Sequence, residues 1–127
     1  MHRGIASSSF LDLLASAGRR DRGRFFNRLL GAVYVGVYRI ELHIPASRSL
    51  KAKRSVVNAI RARLTRMNLA VAEVDGQDLW QSCVLGAAAV SADAVFLDNL
   101  ADKIEDACYR DGRAQVLRIQ RDVIPFG

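Results

Sequence analysis

The amino-acid sequence predicts one α+β domain over residues 33–127, with its elements in the order strand, helix, strand, strand, helix, strand. Three observations lead to this fold class. Apolar and polar residues alternate near both ends of the region, which indicates strands with one buried face. Two intervening segments carry apolar residues three and four positions apart, as amphipathic helices do. Short polar runs that contain glycine, a residue typical of turns, separate these segments.

The first strand is predicted from Tyr34 to Ile44, because apolar residues at 38, 40, 42 and 44 alternate with polar ones. Pro45 ends the strand, since proline has no amide hydrogen to donate to a neighbouring strand. The segment Ser47–Ser49 then supplies an N-cap, in which a serine hydroxyl accepts a hydrogen bond from a free amide of the first helical turn. The first helix is predicted from Leu50 to about Arg66.

The same signals predict the second half of the domain. It contains strands at 69–74 and 79–90 around a polar turn at 75–78, a helix at 92–110 and a last strand at 115–123. Ser91 is the predicted N-cap of the second helix, and Val95 belongs to its predicted apolar stripe. In the last strand, Leu117 and Ile119 are expected to point inward.

This order is the split βαβ motif of ferredoxin-like domains. Right-handed crossovers place both helices on one face of a four-stranded antiparallel sheet and leave the other face open. If the even-numbered residues of the first strand face the helices, Val35 and Val37 lie on the open face. A matching parity in the third strand adds residues 83, 85, 87 and 89, among them Leu85. Small apolar groups on an open face usually pack against something, so a homodimer is predicted, formed either sheet against sheet or edge to edge.

Residues 1–32 are predicted to be a weakly ordered basic N-terminal extension outside the domain. They hold six arginines against Asp12 and Asp21, so most of the chain's net charge of +6 belongs to them. One interpretation is a basic arm that touches RNA. The other is a misassigned start, because Val33 is what a GTG start codon would encode inside an over-extended reading frame. The intact mass of the native protein distinguishes the two.

The charge of the first helix is the strongest functional feature. Seven cations and no acid occur between residues 48 and 66, namely Arg48, Lys51, Lys53, Arg54, Arg61, Arg63 and Arg66. Residues 93–111 are acidic instead, so the domain is polarised. A concentrated positive helix attracts phosphate backbones, and these seven residues are the predicted nucleic-acid or anion contacts. The alternative is attraction between the two helices combined with ordinary solvated faces.

Trp80, which lies among polar residues, is either an interface anchor or a core residue that closes the end of the third strand. Stacking of RNA bases on the sheet is not expected, because the third strand contains no aromatic residue, so RNA would bind the helix face or the loops. The acidic hairpin around Asp75 is not expected to supply the roughly six converging oxygens of a hard-cation site. No metal or other cofactor is predicted.

No catalytic constellation can be assembled from two histidines and two cysteines, and no catalytic residue is nominated. Cys83 and Cys108 lack ligand-like spacing and fit a reducing compartment. No apolar run approaches the roughly 18 residues of a membrane span. A cytoplasmic location without a membrane partner is therefore predicted.

Three segments contain sequence motifs in addition to their apolar periodicity: YVGVYRIELHIPASRSLKAKR at 34–54, VAEVDGQDLWQ at 71–81 and LGAAAVSAD at 85–93. Together they closely resemble the YlxP-like family, small bacterial proteins of unassigned biochemical function, over essentially all of residues 33–127. The resemblance implies a ferredoxin-like fold, dimerisation, and a gene that is often found beside genes for translation initiation and ribosome maturation. It implies no active site.

These observations predict a non-enzymatic, homodimeric domain that associates with rRNA or a ribosomal subunit through its first helix. The alternative is a homo-oligomeric ligand-binding or scaffold domain that recognises a small anion.

Overall fold

The computed structural model of this protein describes residues 32–126. Within that range the elements are β1 Val33–His43, α1 Leu50–Thr65, β2 Ala70–Asp75, β3 Ser82–Ser91, α2 Ala94–Tyr109 and β4 Gln115–Phe126. The predicted order is confirmed, although β4 continues beyond the predicted end at Val123. The predicted extension at residues 1–32 lies outside the described residues except for residue 32, as does the hypothesis about the translation start.

The four strands form one antiparallel sheet in the order β2-β3-β1-β4. The two central strands, β1 and β3, are neighbours although α1 and β2 separate them in the chain. This is the ferredoxin-like βαββαβ arrangement that the sequence predicts. At the start of α1, Ser49 Oγ accepts a hydrogen bond from the Ala52 amide at 3.0 Å, which confirms the predicted N-cap.

The core lies between the two helices and one face of the sheet. Successive side chains of a strand point to opposite faces, and β1 buries its even-numbered residues, including Tyr38 and Ile40. α1 buries Ile60 and Leu64 against the same core. The Tyr38 hydroxyl donates a hydrogen bond to the carbonyl of Leu97 in α2, which satisfies the polar end of this buried side chain.

The predicted parity of β3 is wrong. The register pairs Val37 with Ala88 and Arg39 with Gly86, and residues directly opposite one another in antiparallel strands share a face. The open face therefore carries the even-numbered residues of β3. Leu85 is 0% exposed in the core, and the cysteine and alanine on either side of it at 83 and 87 are buried as well. Leu85 is thus not available to an interface on the open face.

The predicted N-cap of the second helix is also wrong. Ser91 still pairs with Tyr34 in the sheet, so the helix starts later. The N-cap is Asp93, whose carboxylate accepts hydrogen bonds from the amides of Val95 and Phe96. Val95 is 60% exposed in this first turn and does not belong to the buried stripe.

A β-bulge changes the expected pattern of β4. The register with β1 shifts between Glu41 and Leu42, which pair with Arg118 and Val116. Leu117 is the extra residue, and it is 63% exposed, contrary to the prediction that it points inward. Within residues 32–126, no helix has the length and apolar character needed to cross a lipid bilayer.

Candidate nucleic-acid interface

The seven predicted contact residues fall into three groups in the structure. Arg48, Lys51, Arg54 and Arg66 are exposed, and their side chains make no hydrogen bond or ion pair within residues 32–126. Positions 51, 54, 58, 62 and 66 follow one another at three- and four-residue steps. Lys51, Arg54 and Arg66 therefore lie along the solvent side of α1. We call Arg48, Lys51, Arg54 and Arg66 the exposed cations.

Arg61 and Arg63 lie on the two flanks of α1 and have partners in the protein. Arg61 donates to the carbonyl of Val71 in β2, with a donor–acceptor distance of 3.4 Å. Arg63 Nη1 lies 3.4 Å from Asp111 Oδ2, just after α2. Asp111 also accepts hydrogen bonds from Arg113, and chiefly these bonds hold the pKa of Asp111 below its ordinary value. Both flanking arginines are therefore less available to a phosphate than the exposed cations are.

Lys53 is buried, with only 2% of its side chain exposed. Its Nζ donates hydrogen bonds to the carbonyl oxygens of Gly76 at 2.6 Å, Gln77 at 3.3 Å and Ser82 at 3.1 Å. It also lies 3.2 Å from Glu73 Oε2 in an ion pair. An ammonium enclosed in this way does not reach an external phosphate, so the structure contradicts the prediction that Lys53 is a nucleic-acid contact.

The position of Lys53 in the sequence indicates that its side chain faces the core. Lys53 precedes Val57 by four residues and Ile60 by seven, so it belongs to the buried stripe of α1. Spacing alone does not predict which groups the buried ammonium of Lys53 binds. The carbonyl groups that it binds come from the turn between β2 and β3, and the position of that turn depends on sheet pairing.

The loop between β1 and α1 is tied to the start of β3 through Gln81. Its side-chain amide donates to the carbonyl of Pro45 at 3.1 Å and to that of Ser47 at 3.2 Å. Its own carbonyl accepts a hydrogen bond from the Ile44 amide at 2.9 Å and from His43 Nδ1 at 3.0 Å. The residues immediately before Gln81 and those that lead into α1 therefore share one surface.

The segment that connects β2 to β3 presents two large apolar side chains to solvent. Leu79 is 55% exposed and Trp80 is 56% exposed. The exposure of Trp80 contradicts the interpretation that it closes the core at the end of β3. Its alternative role as an interface anchor stays a prediction. The indole N–H of Trp80 has no hydrogen-bond partner within residues 32–126.

Val35 and Val37 lie on the open face of the sheet, as predicted. Val37 is 41% exposed, and Ile124, which pairs with Val35, is 45% exposed. Large apolar residues thus gather at one end of this face, and the apolar patch comprises Val33, Val35, Val37, Val90, Ile124 and Phe126. What covers this patch stays a prediction.

The two cysteines are free and buried. Burial, and then the nearby Glu73 carboxylate, raise the pKa of Cys83 to about 12. Burial and Glu105 raise the pKa of Cys108 to about 11. Because the thiolate is the nucleophilic form, both thiols are unreactive near neutral pH. In the part of the chain that the structure describes, no three or more His, Cys, Asp or Glu side chains are grouped so that they could hold a metal ion.

Comparison with known families decides where this chain belongs. Residues 35–121 match a family model described as protein of unknown function (DUF503). The chain belongs to the DUF503 family. The matched segment contains the whole of α1 and the β2–β3 connection, so the exposed cations and Trp80 are part of the DUF503 domain. The family description does not include the YlxP name, and that finer resemblance stays a prediction.

No curated protein matches the chain. Among solved structures, the de novo designed protein Foldit4 is similar, with 14% sequence identity and a TM-score of 0.43. The similarity covers 71% of this chain and 94% of that chain.

Proposed function

We propose that this DUF503 protein is a non-enzymatic RNA-binding domain that acts in translation or ribosome maturation by binding rRNA or a ribosomal subunit. The observation that carries the proposal is the set of exposed cations, Arg48, Lys51, Arg54 and Arg66, on one side of α1 and at its start. Phosphate groups of an RNA backbone are the natural partners of such a set, because each neutralised phosphate also releases condensed counterions.

The main alternative is that α1 is positive because α2 is negative. Among the described residues, the only ion pair that links the two helical regions is that of Arg63 with Asp111. Arg121, on β4, pairs with Asp98 of α2, so part of the negative charge of α2 is neutralised from the sheet. Attraction between the helices therefore does not account for the exposed cations, and this supports an external anionic partner.

A matched pair of double variants tests the proposal. In Lys51→Glu/Arg54→Glu, two exposed cations are reversed, and affinity for small-subunit rRNA should fall by at least about tenfold at low salt. The slope of log affinity against log salt should decrease in magnitude by about 1.4 if the two cations meet phosphates of a single strand. Fluorescence anisotropy with labelled rRNA fragments, measured across a salt series, gives both quantities.

Lys103→Glu/Arg118→Glu is the control, because it reverses one lysine and one arginine elsewhere on the described surface. It has the same net charge and should bind nearly as tightly as the wild-type protein. Equal losses in the two variants would show that only net charge matters. Failure of the wild-type protein to sediment with ribosomes or to bind rRNA would contradict the proposal as a whole.

A second candidate function is a homo-oligomeric scaffold that binds a small anion. The apolar patch on the open face favours a second copy as partner, since exposed apolar groups of this kind mark interaction surfaces. Beside the patch lies an open hollow of about 330 Å³, lined by Val37, Arg39, Gln120, Arg121, Asp122 and Ile124. Its two arginines already pair with Glu41 and Asp98, which weakens the case for an anion there. A monomer mass in light scattering at micromolar concentration would count against this candidate.

A further inference from the structure

Trp80 is a large apolar residue whose side chain is exposed on the surface. It is the only tryptophan in the chain, and 56% of it is exposed beside the equally exposed Leu79. An indole is a large apolar surface, and its N–H group is here without a partner in the described residues. Burial of such a side chain stabilises a fold strongly, so a surface tryptophan suggests an external contact.

The backbone around Trp80 is held in place on both sides. On one side, the amide of Leu79 donates to the Gly76 carbonyl at 3.0 Å, and that same carbonyl accepts from buried Lys53. On the other side, Gln81 binds the loop before α1 through Ser47 and its neighbours. An aromatic side chain on a braced backbone loses less conformational entropy on binding than one on a free loop.

The same contacts place Trp80 next to the positive charge of α1. Gln81, the residue after Trp80, donates to the carbonyl of Ser47, and Arg48 is the next residue along that loop. Lys51 and Arg54 follow in the first two turns of α1. Exposed Trp80 therefore lies near the start of α1, where Arg48, Lys51 and Arg54 are exposed and have no partner among residues 32–126. Proteins bind single-stranded nucleic acid through this combination, in which bases stack on aromatic rings and cations follow the backbone.

We propose that Trp80 is a stacking platform for one unpaired base of a single-stranded RNA whose phosphates lie along the exposed cations. The inference rests on the proposed function, and it specifies that the ligand is single-stranded. In a duplex, bases are stacked on one another and their faces are not available to a side chain. The platform lies in a loop and not on the sheet, where RNA-binding domains of similar topology carry their aromatic residues.

A second copy of this chain is the competing occupant of Trp80, and charge argues against it. A two-fold interface places the same patch of both copies against itself. Arg48 and Lys51 of one copy would then approach those of the other. The exposed carboxylates near Trp80, those of Asp75 and Asp78, are fewer than the four exposed cations. A polyanion is attracted by these cations, which outnumber the two carboxylates, so RNA fits the surface better than self-association does.

The test compares Trp80→Ala with Leu79→Ala in the full chain, using labelled 12-nucleotide single-stranded and 12-base-pair double-stranded RNA. Loss of one stacked base should weaken single-strand binding of Trp80→Ala by about 5- to 100-fold. Leu79→Ala, which removes an equally exposed apolar side chain, should stay within about threefold of wild type. Trp80→Phe should recover part of the loss, and duplex binding should change little in any of the three variants.

The wild-type protein offers a direct readout, because its fluorescence comes from a single tryptophan. Stacking of a base on the indole should quench that emission in proportion to the bound fraction of single-stranded RNA. If Lys51→Glu/Arg54→Glu lowers RNA binding while Trp80→Ala does not, the stacking inference fails and the proposed function survives. If the wild type binds no RNA, both fail. Loss of self-association in Trp80→Ala with unchanged RNA binding would assign the residue to a second copy.

Discussion

Residues of one type, a few positions apart in α1, have opposite environments. Lys51 is exposed, whereas two residues later Lys53 is enclosed by three carbonyl groups and the carboxylate of Glu73. The difference follows from helix geometry, since residues two positions apart in a helix point about 200° apart and therefore lie on opposite sides. The charge of a helix therefore overstates the charge that it offers to a partner, and here four of seven cations are exposed.

Removal of the buried ammonium should destabilise the protein strongly. Lys53→Met leaves the carboxylate of Glu73 unpaired and three carbonyl groups without their donor, and it should lower the free energy of unfolding by about 3 kcal/mol. We take the lower end of the range for a broken buried ion pair because 20% of the Glu73 side chain is exposed. Urea unfolding followed by circular dichroism measures the effect.

Lys51→Met is the matched control and should change the free energy of unfolding by less than about 0.5 kcal/mol. The double variant Lys53→Met/Glu73→Gln should be more stable than Lys53→Met alone, because it no longer contains an unpaired carboxylate. Equal stability of Lys53→Met and Lys51→Met would contradict a structural role for the buried lysine.

At the scale of elements, the β2–β3 connection is the segment that links the core to the candidate interface. Its turn closes through Gly76, which has a φ of 78°. A β-carbon at this position would lie 3.2 Å from the carbonyl oxygen of Ser82, and the same oxygen accepts a hydrogen bond from Lys53 at 3.1 Å. The conformation of the turn and the burial of the lysine therefore depend on each other.

Gly76→Ala should destabilise the protein more than Gly112→Ala does. Gly112 has a φ of 79°, but a β-carbon there meets no atom within 4 Å. Gly112→Ala should lower the free energy of unfolding by about 1 kcal/mol through the left-handed backbone alone. Gly76→Ala adds the close contact with Ser82, and thermal and urea unfolding of both variants should reveal the difference. A smaller loss for Gly76→Ala would show that the turn relaxes without disturbing Lys53.

At the scale of the whole molecule, the core contains two thiols whose ionisation would oppose folding. Burial raises the pKa values of Cys83 and Cys108 from the ordinary value of 9.0, which applies to the unfolded chain, to about 12 and about 11 in the folded protein. Below pH 9 both states carry the protons, so stability does not depend on these groups. Above pH 9 the unfolded chain releases them while the folded protein retains them, and stability falls as the pH rises.

The free energy of unfolding should therefore decrease between about pH 9 and pH 11, by as much as about 1.4 kcal/mol per pH unit for each thiol. Cys83→Ala should remove one thiol's share of this slope, although it also lowers stability at every pH by leaving a cavity. Urea unfolding at several pH values, with a reductant present, measures the slope separately from the constant loss. An unchanged slope in Cys83→Ala would show that this thiol ionises equally in the folded and unfolded states.

Local signals were sufficient for the order of elements and for the start of α1. Alternation marked β1, Pro45 marked its end, and Ser49 is the N-cap of α1. These features depend on contacts within a few residues. Local signals did not predict the start of the second helix, because Ser91 has the side chain of an N-cap but remains paired to β1. Only sheet pairing decides whether a capping residue is free to start a helix.

Local sequence patterns predict which segments are strands and helices, and they show that positive charge is concentrated in α1. The tertiary structure decided which residues of those elements are available to a partner. The register of β3 buried Leu85, a bulge exposed Leu117, and the β2–β3 turn enclosed Lys53 while leaving Trp80 in solvent. The physical reason is that local geometry orients a side chain only relative to its own element. Burial requires a second element, whose position follows from pairing over long distances in the chain.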